Sequence, residues 1–389
     1  MATVKKIYVG NTEGKAKKIY PQYVPRTMTA RFNLSDSNPA TWGEYLDDAA
    51  NMTAGDSAWD EFFGHYPAMI KDGSIVGELD PSEGYAKYID GTAADITSGA
   101  DGDVMIVFPR RDLRIWQDNG YLYVSMTGVL GKANYNHYAH KYKGNDCDWF
   151  ALGRYKGYYD GSKLRSLSGK TPTASQTIGT FRTYAQAGGT GYEQSAFFQL
   201  TYRQAMYMLK YLGQNAQNAV GRGFVDGNSA AHITGGTNAL GMDYGETTGK
   251  VQCSLFGVED FWGSINEYID GIYSNSSRQL SAADGNYNDT GSGYNTISSA
   301  TASSNWDGYP RYPVGTSEGG FAPLVSNTNK GSGSTYFCDG ASVNADRLAF
   351  FGGNWSDASA AGVFTLNVSR SASISSATVS SRLMYIHTA

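Results

Sequence analysis

Three short groups of residues in this 389-residue sequence have types and spacings that resemble catalytic or metal-binding motifs. The first is Gly315–Gly319, which matches the G-x-S-x-G pattern of a serine nucleophile. Such a nucleophile lies on a sharp turn between a strand and a helix, because that turn exposes the serine hydroxyl. Pro313 lies just before the segment and Pro323 soon after it, so the sequence predicts a simple turn without catalytic function.

The second group contains residue types that bind zinc. His137 and His140 are three positions apart, and Cys147 and Asp148 follow them. A zinc site needs three or four ligands that converge in a tetrahedron. A histidine pair with one distant cysteine is more typical of packed or surface histidines, so we predict no zinc site here.

The third group, Asp284-x-Asn286-x-Asn288, resembles the opening of a calcium-binding loop. Its sixth position is Asp289 where an EF-hand has glycine, and its twelfth is Asn295 where an EF-hand has glutamate. We therefore expect no EF-hand, although adventitious Ca²⁺ binding stays open. We expect no metal, no cofactor and no catalytic residue in this chain.

Charge and hydropathy exclude several classes of partner. The chain has 31 Lys and Arg against 36 Asp and Glu, a net charge of −5, and no long basic block, which is unfavourable for binding nucleic acid. The longest strongly apolar runs, such as Val104–Phe108, are much shorter than a membrane span, so we expect no membrane insertion. The basic start lacks the apolar segment of a secretory signal, and three cysteines predict no disulfide framework, so we expect synthesis in a reducing cytoplasm.

Hydrophobic periodicity predicts two strands and two helices. Val104–Phe108 and Tyr121–Val124 are short apolar runs next to turn signals, which is typical of strands. Thr201–Leu212 has an apolar stripe at helical spacing, with Thr201 and Gln204 in the positions of a capping box. Val258–Ile272 also places its apolar residues at helical spacing, with acidic residues at its start, and predicts a second core helix.

The sequence divides into three predicted regions. A Lys-Lys-Ile-Tyr sequence occurs twice around a glycine turn within residues 1–30, which predicts a β-hairpin or arm for docking or oligomerisation, with a frayed terminus as the alternative. Residues 31–100 carry many turn signals and predict a connecting region. Residues 101–389 are predicted to form the main domain, with a Ser-, Asn- and Gly-rich insertion at about 273–330.

The last part of the chain, about 347–389, contains separated glycine, tryptophan and arginine residues of the kind that fix a chain in place. Between positions 363 and 369, Phe364, Leu366 and Val368 alternate with Val363, Thr365, Asn367 and Ser369, so the segment predicts a strand with one buried and one solvated face. The Ser-rich remainder has too few apolar residues to form a core alone. We predict that it is fixed by anchoring residues around it: Gly352, Gly353, Trp355, Gly362 and Arg382.

These residues carry a family resemblance. The segment Phe351–Trp355, the glycine-led strand after it and the closing Arg-Leu resemble the end of C-type-lectin-fold proteins in the formylglycine-generating-enzyme-like branch. Within that branch, the sequence is most similar to the variable proteins of bacteriophage diversity-generating retroelements. The segment Phe256–Gly263 resembles the central segment of that family, and the likeness covers roughly residues 100–389. It implies an α+β C-type lectin fold with a small N-terminal β-rich attachment region.

The resemblance also implies a surface that is diversified by miscopying of template adenines, while the anchoring codons stay fixed. The residues between the anchors are a mixture of Ser, Ala, Asp, Arg and Ile, which such scatter would leave. The expected variable, ligand-binding positions are Leu348, Phe350, Ser356, Asp357, Ala358, Ser359, Ala360, Thr365, Ser369, Arg370, Ile374, Ser376 and Ala377.

What the resemblance implies about function is a non-catalytic receptor-binding or adhesion protein of a phage tail fibre or tail tip. Its expected partners are a host-surface protein or glycan, tail or baseplate proteins through the N-terminus, and further copies of itself, by analogy in a homotrimer. Two alternatives stay open. One is an oxidase of the formylglycine-generating type, although Cys253 and Cys338 are far apart in sequence and no cysteine follows. The other is a purely structural tail or baseplate protein.

Overall fold

The structure is a computed structural model, and it has a mixed, sheet-rich fold with few helices that is compatible with the α+β class. It describes residues 26–41, 43–227, 229–297, 304–311, 320–323 and 331–387, together with the backbone of 8–10 and 16–18. Within these ranges, every helix is too short or too polar to cross a membrane.

The strands of the first half of the chain alternate with short turns. In chain order they are β1 (Tyr8–Gly10), β2 (Ala16–Lys18), β3 (Thr27–Asn33), β4 (Gly43–Asp47), β5 (Tyr66–Lys71), β6 (Ser74–Glu78), β7 (Asp103–Pro109), β8 (Asp112–Asp118), β9 (Tyr121–Thr127), β10 (Lys141–Tyr142), β11 (Asn145–Asp146), β12 (Trp149–Gly153), β13 (Tyr158–Tyr159) and β14 (Leu164–Arg165).

The strands of the second half are shorter on average. They are β15 (Tyr192–Gln194), β16 (Ser254–Leu255), β17 (Val258–Glu259), β18 (Asn266–Ser274), β19 (Leu280–Ala282), β20 (Asn295–Thr296), β21 (Trp306–Gly308), β22 (Ala341–Val343), β23 (Arg347–Phe351), β24 (Leu366–Arg370), β25 (Val379–Ser380) and β26 (Leu383–Ile386). The helices are α1 (Ala58–Phe63), α2 (Ile178–Gln186), α3 (Phe197–Tyr211) and α4 (Ala216–Ala219).

Three larger sheets form the body of the molecule. The four-stranded sheet has the order β4-β3-β9-β8, and the six-stranded sheet has the order β15-β26-β12-β7-β5-β6. The eight-stranded sheet follows the order β20-β19-β18-β23-β24-β22-β21, and β25 pairs with β18 in addition. Because β3 pairs with β9 and β5 pairs with β7, residues 31–100 share both smaller sheets with later segments, across the boundary expected at residue 100.

Helix α3 lies in the core that these sheets enclose. All of its residues from Phe197 to Lys210 are buried, and its apolar residues join the largest hydrophobic cluster. The predicted helix over Thr201–Leu212 is thus confirmed, but its start is wrong. The helix begins at Phe197 after an extended Ala196, and the Gln204 side chain donates to the Val363 carbonyl at 2.8 Å instead of capping the helix.

Both predicted strands are confirmed. Val104–Phe108 lies within β7, where every residue except the final proline is buried, which explains its continuous apolar sequence. Tyr121–Val124 begins β9, where it pairs with both β3 and β8.

The predicted helix over Val258–Ile272 is wrong, because this segment forms β17, a turn and β18. The backbone of Asp260, Gly263 and Ser264 has positive φ angles of 48°, 78° and 63°, which no α-helix allows. In β18 nearly every residue is buried, so apolar positions on both faces of a strand imitated the spacing of a helical stripe.

Near the N-terminus two described strands are paired, as the hairpin prediction requires: β1 pairs antiparallel with β2, with Tyr8 opposite Lys18 and Gly10 opposite Ala16. Its docking role stays a prediction. The expected insertion at 273–330 supplies β19, β20 and β21 to the eight-stranded sheet, and Trp306 in β21 is buried. The G-x-S-x-G segment lies outside the described residues.

Candidate ligand-binding surface

The anchoring glycines follow β23, where the chain turns sharply away from the eight-stranded sheet. Gly352 and Gly353 have φ angles of 93° and 78°, a region that favours glycine. A Cβ atom on Gly353 would lie 2.6 Å from the Cβ of Ala361, so the turn also needs glycine for close packing. These two residues fix the point at which the next segment leaves the core.

The third anchoring glycine, Gly362, is required by packing alone. A Cβ atom there would lie 2.1 Å from Oδ1 of Asp339. The other carboxylate oxygen of Asp339 accepts a hydrogen bond from the Phe364 amide at 2.6 Å. Asp339 is buried and lies just before strand β22. Its bond to Phe364 therefore connects the start of β22 to the C-terminal segment.

Arg382 is the most extensively bonded of the predicted anchors. It is fully buried, and its Nε donates to Oε2 of Glu267 in β18 at 2.7 Å. Its two terminal nitrogens donate to four backbone carbonyls at 2.9 to 3.0 Å: those of Gly153, Arg154, Glu259 and Asp260. One side chain thus connects three separate parts of the chain, which is consistent with its prediction as a fixed residue.

A second cation shares Glu267. Lys156 is buried and donates to Oε2 of Glu267 at 3.1 Å. Burial alone would raise the pKa of Glu267, but Arg382 and Lys156 outweigh it and hold this pKa at about 2. Burial lowers the pKa of Lys156 to about 8, against the attraction of Glu267. This cluster is therefore a buried ionic core beneath β18 and β26, with no path to a ligand at the surface.

Trp355 is less buried than an anchor of the core would be. Its side chain is half-buried, and its backbone is held on two sides. The Trp355 amide donates to the Ser264 carbonyl at 3.2 Å, and the Trp355 carbonyl accepts from the Gly227 amide at 3.0 Å. Trp355 is therefore fixed through its backbone. Its half-buried ring directly precedes the loop described next.

Residues 356–360, the first loop, follow Trp355 directly. Ser356 and Ser359 are exposed, whereas Asp357, Ala358 and Ala360 are half-buried. The loop is supported from below, because the Ala358 amide donates to the Val225 carbonyl at 3.1 Å and Gln217 Nε2 donates to the Ala358 carbonyl at 2.7 Å.

Asp357 has a structural role in the first loop. Its Oδ2 accepts from the backbone amide and the side-chain amide of Asn354, both at 2.8 Å. Burial raises the pKa of the Asp357 carboxyl, and these two bonds lower it again in part. Of the five predicted positions in this loop, Ser356 and Ser359 are the ones with free access to solvent.

Residues 369–377, the second loop, comprise the last two residues of β24 and the segment after it. Ile374 and Ala377 are exposed, and Ser369, Arg370 and Ser376 are half-buried. The guanidinium carbon of Arg370 lies 4.8 Å from the ring centre of Phe350, a cation–π contact. The loop is held by its backbone: the Ile374 carbonyl accepts from the Tyr268 hydroxyl at 2.9 Å.

Residues next to each loop are bonded to the segment Ser264–Asn266. The Ser264 carbonyl accepts from the Trp355 amide, and two residues further along, the Asn266 amide donates to the Thr378 carbonyl at 3.1 Å. The residues that flank the two loops are therefore both held at the start of β18. We call the exposed side chains of the two loops, together with Trp355, the variable surface.

Three predicted ligand-binding positions do not lie on the variable surface. Leu348, Phe350 and Thr365 are buried, with exposures of 2%, 8% and 3%. β23 lies between β18 and β24, and the first two side chains pack in a core cluster with Tyr268 and Val379, so they are inaccessible. The predicted solvated face of the 363–369 strand is confirmed only at Asn367 and Ser369, because Val363 and Thr365 are also buried.

Sequence reasoning missed a neighbouring loop that borders the variable surface. Ile233 is 56% exposed, and the ring of His232 packs edge-on against Phe224 at 5.0 Å. The His232 amide donates to the Ser264 hydroxyl at 3.0 Å, which places this loop beside Trp355. No motif marks it in the sequence, and only the exposed apolar Ile233 distinguishes it.

The residues whose types could bind a metal ion do not converge on such a site in the described part of the chain. Nε2 of His137 lies 2.9 Å from Asp146 Oδ1, and His140 is buried, which lowers its pKa to about 3. In the part of the chain that the structure describes, no three His, Cys, Asp or Glu side chains are grouped so that they could hold a metal ion.

The cysteines that would serve an oxidase are free thiols in different surroundings. The Cys253 thiol lies 3.5 Å from the Trp262 carbonyl, and the Cys338 thiol lies 3.5 Å from the Tyr336 carbonyl. Burial raises the pKa of both thiols, that of Cys338 to about 12. Thiols in this state are poor nucleophiles and poor metal ligands at neutral pH.

Comparison of the chain with known protein families and with curated proteins finds no match.

Proposed function

We propose that this chain is a variable protein of a diversity-generating retroelement, with a scaffold of the C-type lectin kind, that binds a ligand on the host surface as part of a phage tail fibre or tail tip. The observation that carries the proposal is the contrast within residues 352–382. Exposed, small and mostly uncharged side chains occupy two loops whose flanking residues are both held at the start of β18, and strongly constrained residues lie between and beside these loops.

The constraint on the anchors supports a fixed framework. Gly362 has no room for a Cβ atom, and Arg382 bonds to one carboxylate and four carbonyls. A change at either residue would disturb the core, so a mutable segment must leave them constant. Both loops, in contrast, are also supported through their own backbone groups at Ala358 and Ile374, and these bonds do not depend on the side chains of those two residues.

The exposed positions support replaceable contacts. Ser356, Ser359, Ile374 and Ala377 are exposed, and surface substitutions away from caps and buried networks usually change stability by no more than about 0.5 kcal/mol. A patch of a few small side chains buries little area on a protein or glycan ligand. Several copies in one particle, by analogy three, would raise the affinity through avidity.

The first experiment sequences the DNA that encodes residues 347–387 in many isolates of one phage population. We expect substitutions at the exposed loop positions, constant codons for Gly352, Gly353, Gly362 and Arg382, and a nearby adenine-biased copy beside a reverse transcriptase gene. Uniform codons in both loops, with no such copy, would contradict the proposal.

The second experiment measures binding of the fluorescently labelled full chain to a panel of intact bacterial strains by flow cytometry. For a strain that binds, Ser356→Arg and Ser359→Arg should reduce binding at least tenfold, since a long cation replaces a small contact residue at the centre of the interface. The control is Ser74→Arg, an exposed serine in β6, which should leave binding unchanged. Thermal unfolding should be the same for Ser359→Arg and Ser74→Arg, whereas Ser356→Arg also loses the bond from Ser356 Oγ to Asn354 Oδ1, so Ser359→Arg decides between contact and structure. A purely structural role predicts no change in binding for any of them.

A further inference from the structure

A single buried carboxyl group lies beneath the first loop. Asp339 is 1% exposed and directly precedes Gly340 and strand β22, which runs parallel to β24. Its position places it against the turn of residues 360–364, which connects the first loop to β24.

Asp339 and the next residue hold both ends of that turn. Asp339 Oδ2 accepts from the Phe364 amide at 2.6 Å, and the Gly340 amide donates to the Ala360 carbonyl at 2.8 Å. Between these two bonds, Gly362 packs so closely on the carboxyl group that no Cβ atom fits. The turn therefore packs directly on the carboxyl group of Asp339, and Gln217 and Gln204 donate to its Ala361 and Val363 carbonyls, each at 2.8 Å.

The surroundings of this carboxyl group do not stabilise a negative charge. Its Oδ1 has no hydrogen-bond partner among the described residues, and no ion pair to Asp339 is formed within that same part of the chain. The titratable groups that face it are the Tyr207 phenol on α3 and the thiol of the adjacent Cys338, both of which burial keeps neutral. Burial raises the pKa of Asp339 to about 8, and the Phe364 amide opposes this only in part.

We propose that Asp339 is a positioning residue for the variable surface: its neutral carboxyl group seats the turn of residues 360–364, and its ionisation releases that turn and disorders the first loop. This role rests on the proposed function for its biological meaning, because it makes ligand binding sensitive to pH. Positioning itself is a property of the free protein and is tested without any ligand.

The direction of the pH effect follows from proton linkage. In the released turn Asp339 is solvated and titrates near its ordinary value of about 4, whereas in the seated turn it stays protonated up to about pH 8. The seated state therefore binds the extra proton between these two values. Raising the pH through this window weakens the seating by up to about tenfold for each pH unit, and the effect levels off above pH 8.

The test is hydrogen exchange of backbone amides in the full chain from pH 5 to pH 9, expressed as protection factors so that intrinsic base catalysis is removed. The protection of the Phe364 amide should fall across this range, while that of Val124 in the four-stranded sheet stays constant. In Asp339→Asn, which is neutral at every pH and keeps an oxygen acceptor, the protection of Phe364 should not depend on pH. A flat wild-type profile, or the same fall in wild type and Asp339→Asn, overturns the proposal.

If Asp339→Asn does not fold, the wild-type profile of Phe364 against Val124 decides the question. A second measurement separates this proposal from the proposed function. Binding of the labelled chain to a strain identified in the panel above should weaken from pH 6 to pH 8.5 in wild type but not in Asp339→Asn. A pH-dependent Phe364 amide without binding to any strain would retain the positioning role and contradict the receptor-binding function.

Discussion

Arg370 and Arg382 carry the same side chain in one short stretch of sequence, yet they lie in opposite environments. Arg370 is half-exposed in the second loop, where its guanidinium contacts the Phe350 ring. Arg382 is fully buried and bonded to Glu267 and four carbonyls. The comparison shows that residue type does not distinguish framework residues from surface residues in this segment. The number of partners of each side chain distinguishes them.

The sharpest test of this contrast is Arg382→Met. The substitution leaves Glu267 buried with Lys156 as its one remaining ion-pair partner among the described residues, and four carbonyls each lose a hydrogen-bond donor. Breaking a buried pair in this way should lower the free energy of unfolding by about 3–5 kcal/mol. Urea denaturation measures the loss, and Arg370→Met is the matched control, for which we expect less than about 1 kcal/mol. Equal losses for the two variants would remove the distinction between framework and surface.

A smaller effect is expected for Gly362→Ala. The added methyl group would overlap Asp339 Oδ1, and overpacking of this kind usually costs about 1–3 kcal/mol. The same substitution in an Asp339→Ala background should cost less, because the clashing oxygen is absent. A double-mutant cycle by thermal unfolding gives the coupling, and a coupling of zero would show that Gly362 is not held by this contact.

The smallest effect, and one of opposite sign, is expected within the first loop. Ala358 has a φ angle of 49°, which costs an alanine about 1–2 kcal/mol, whereas glycine adopts it freely. Glycine also gains entropy in the unfolded chain, which offsets part of this benefit. Ala358→Gly should therefore stabilise the protein by about 0.5–1 kcal/mol. Ala360→Gly, at a neighbouring position without a positive φ angle, should destabilise it. A loss of stability in Ala358→Gly would show that the loop does not strain its backbone.

Sequence reasoning selected four residues that are constrained in the structure, but it did not find their partners. Gly352, Gly353, Gly362 and Arg382 stood out as punctuation in a plain segment, and each has a packing or hydrogen-bonding reason in the structure. Glu267 and Asp339 lie far from them in sequence. No local pattern pairs a glycine with a carboxylate that packs on it, so these partners required the fold.

The errors at buried positions have a related cause. Leu348 and Phe350 lie in β23, which is central in its sheet, and a strand with neighbours on both edges and a loop over one face has few exposed side chains. The helix prediction for Val258–Ile272 was wrong because a strand that is buried on both faces lacks the alternation that identifies a strand. A periodic pattern in the sequence identifies an element that is buried on one face, whereas these strands are buried on both faces.

Strand β26 has a consequence for how the protein is made. It comes last among the described strands, yet it occupies an interior place in the six-stranded sheet, between β15 and β12. A nascent chain on the ribosome therefore has an open slot in that sheet until the codons beyond residue 382 are translated. A stop codon or frameshift within either loop would leave this slot empty, so we expect the truncated chain to misfold.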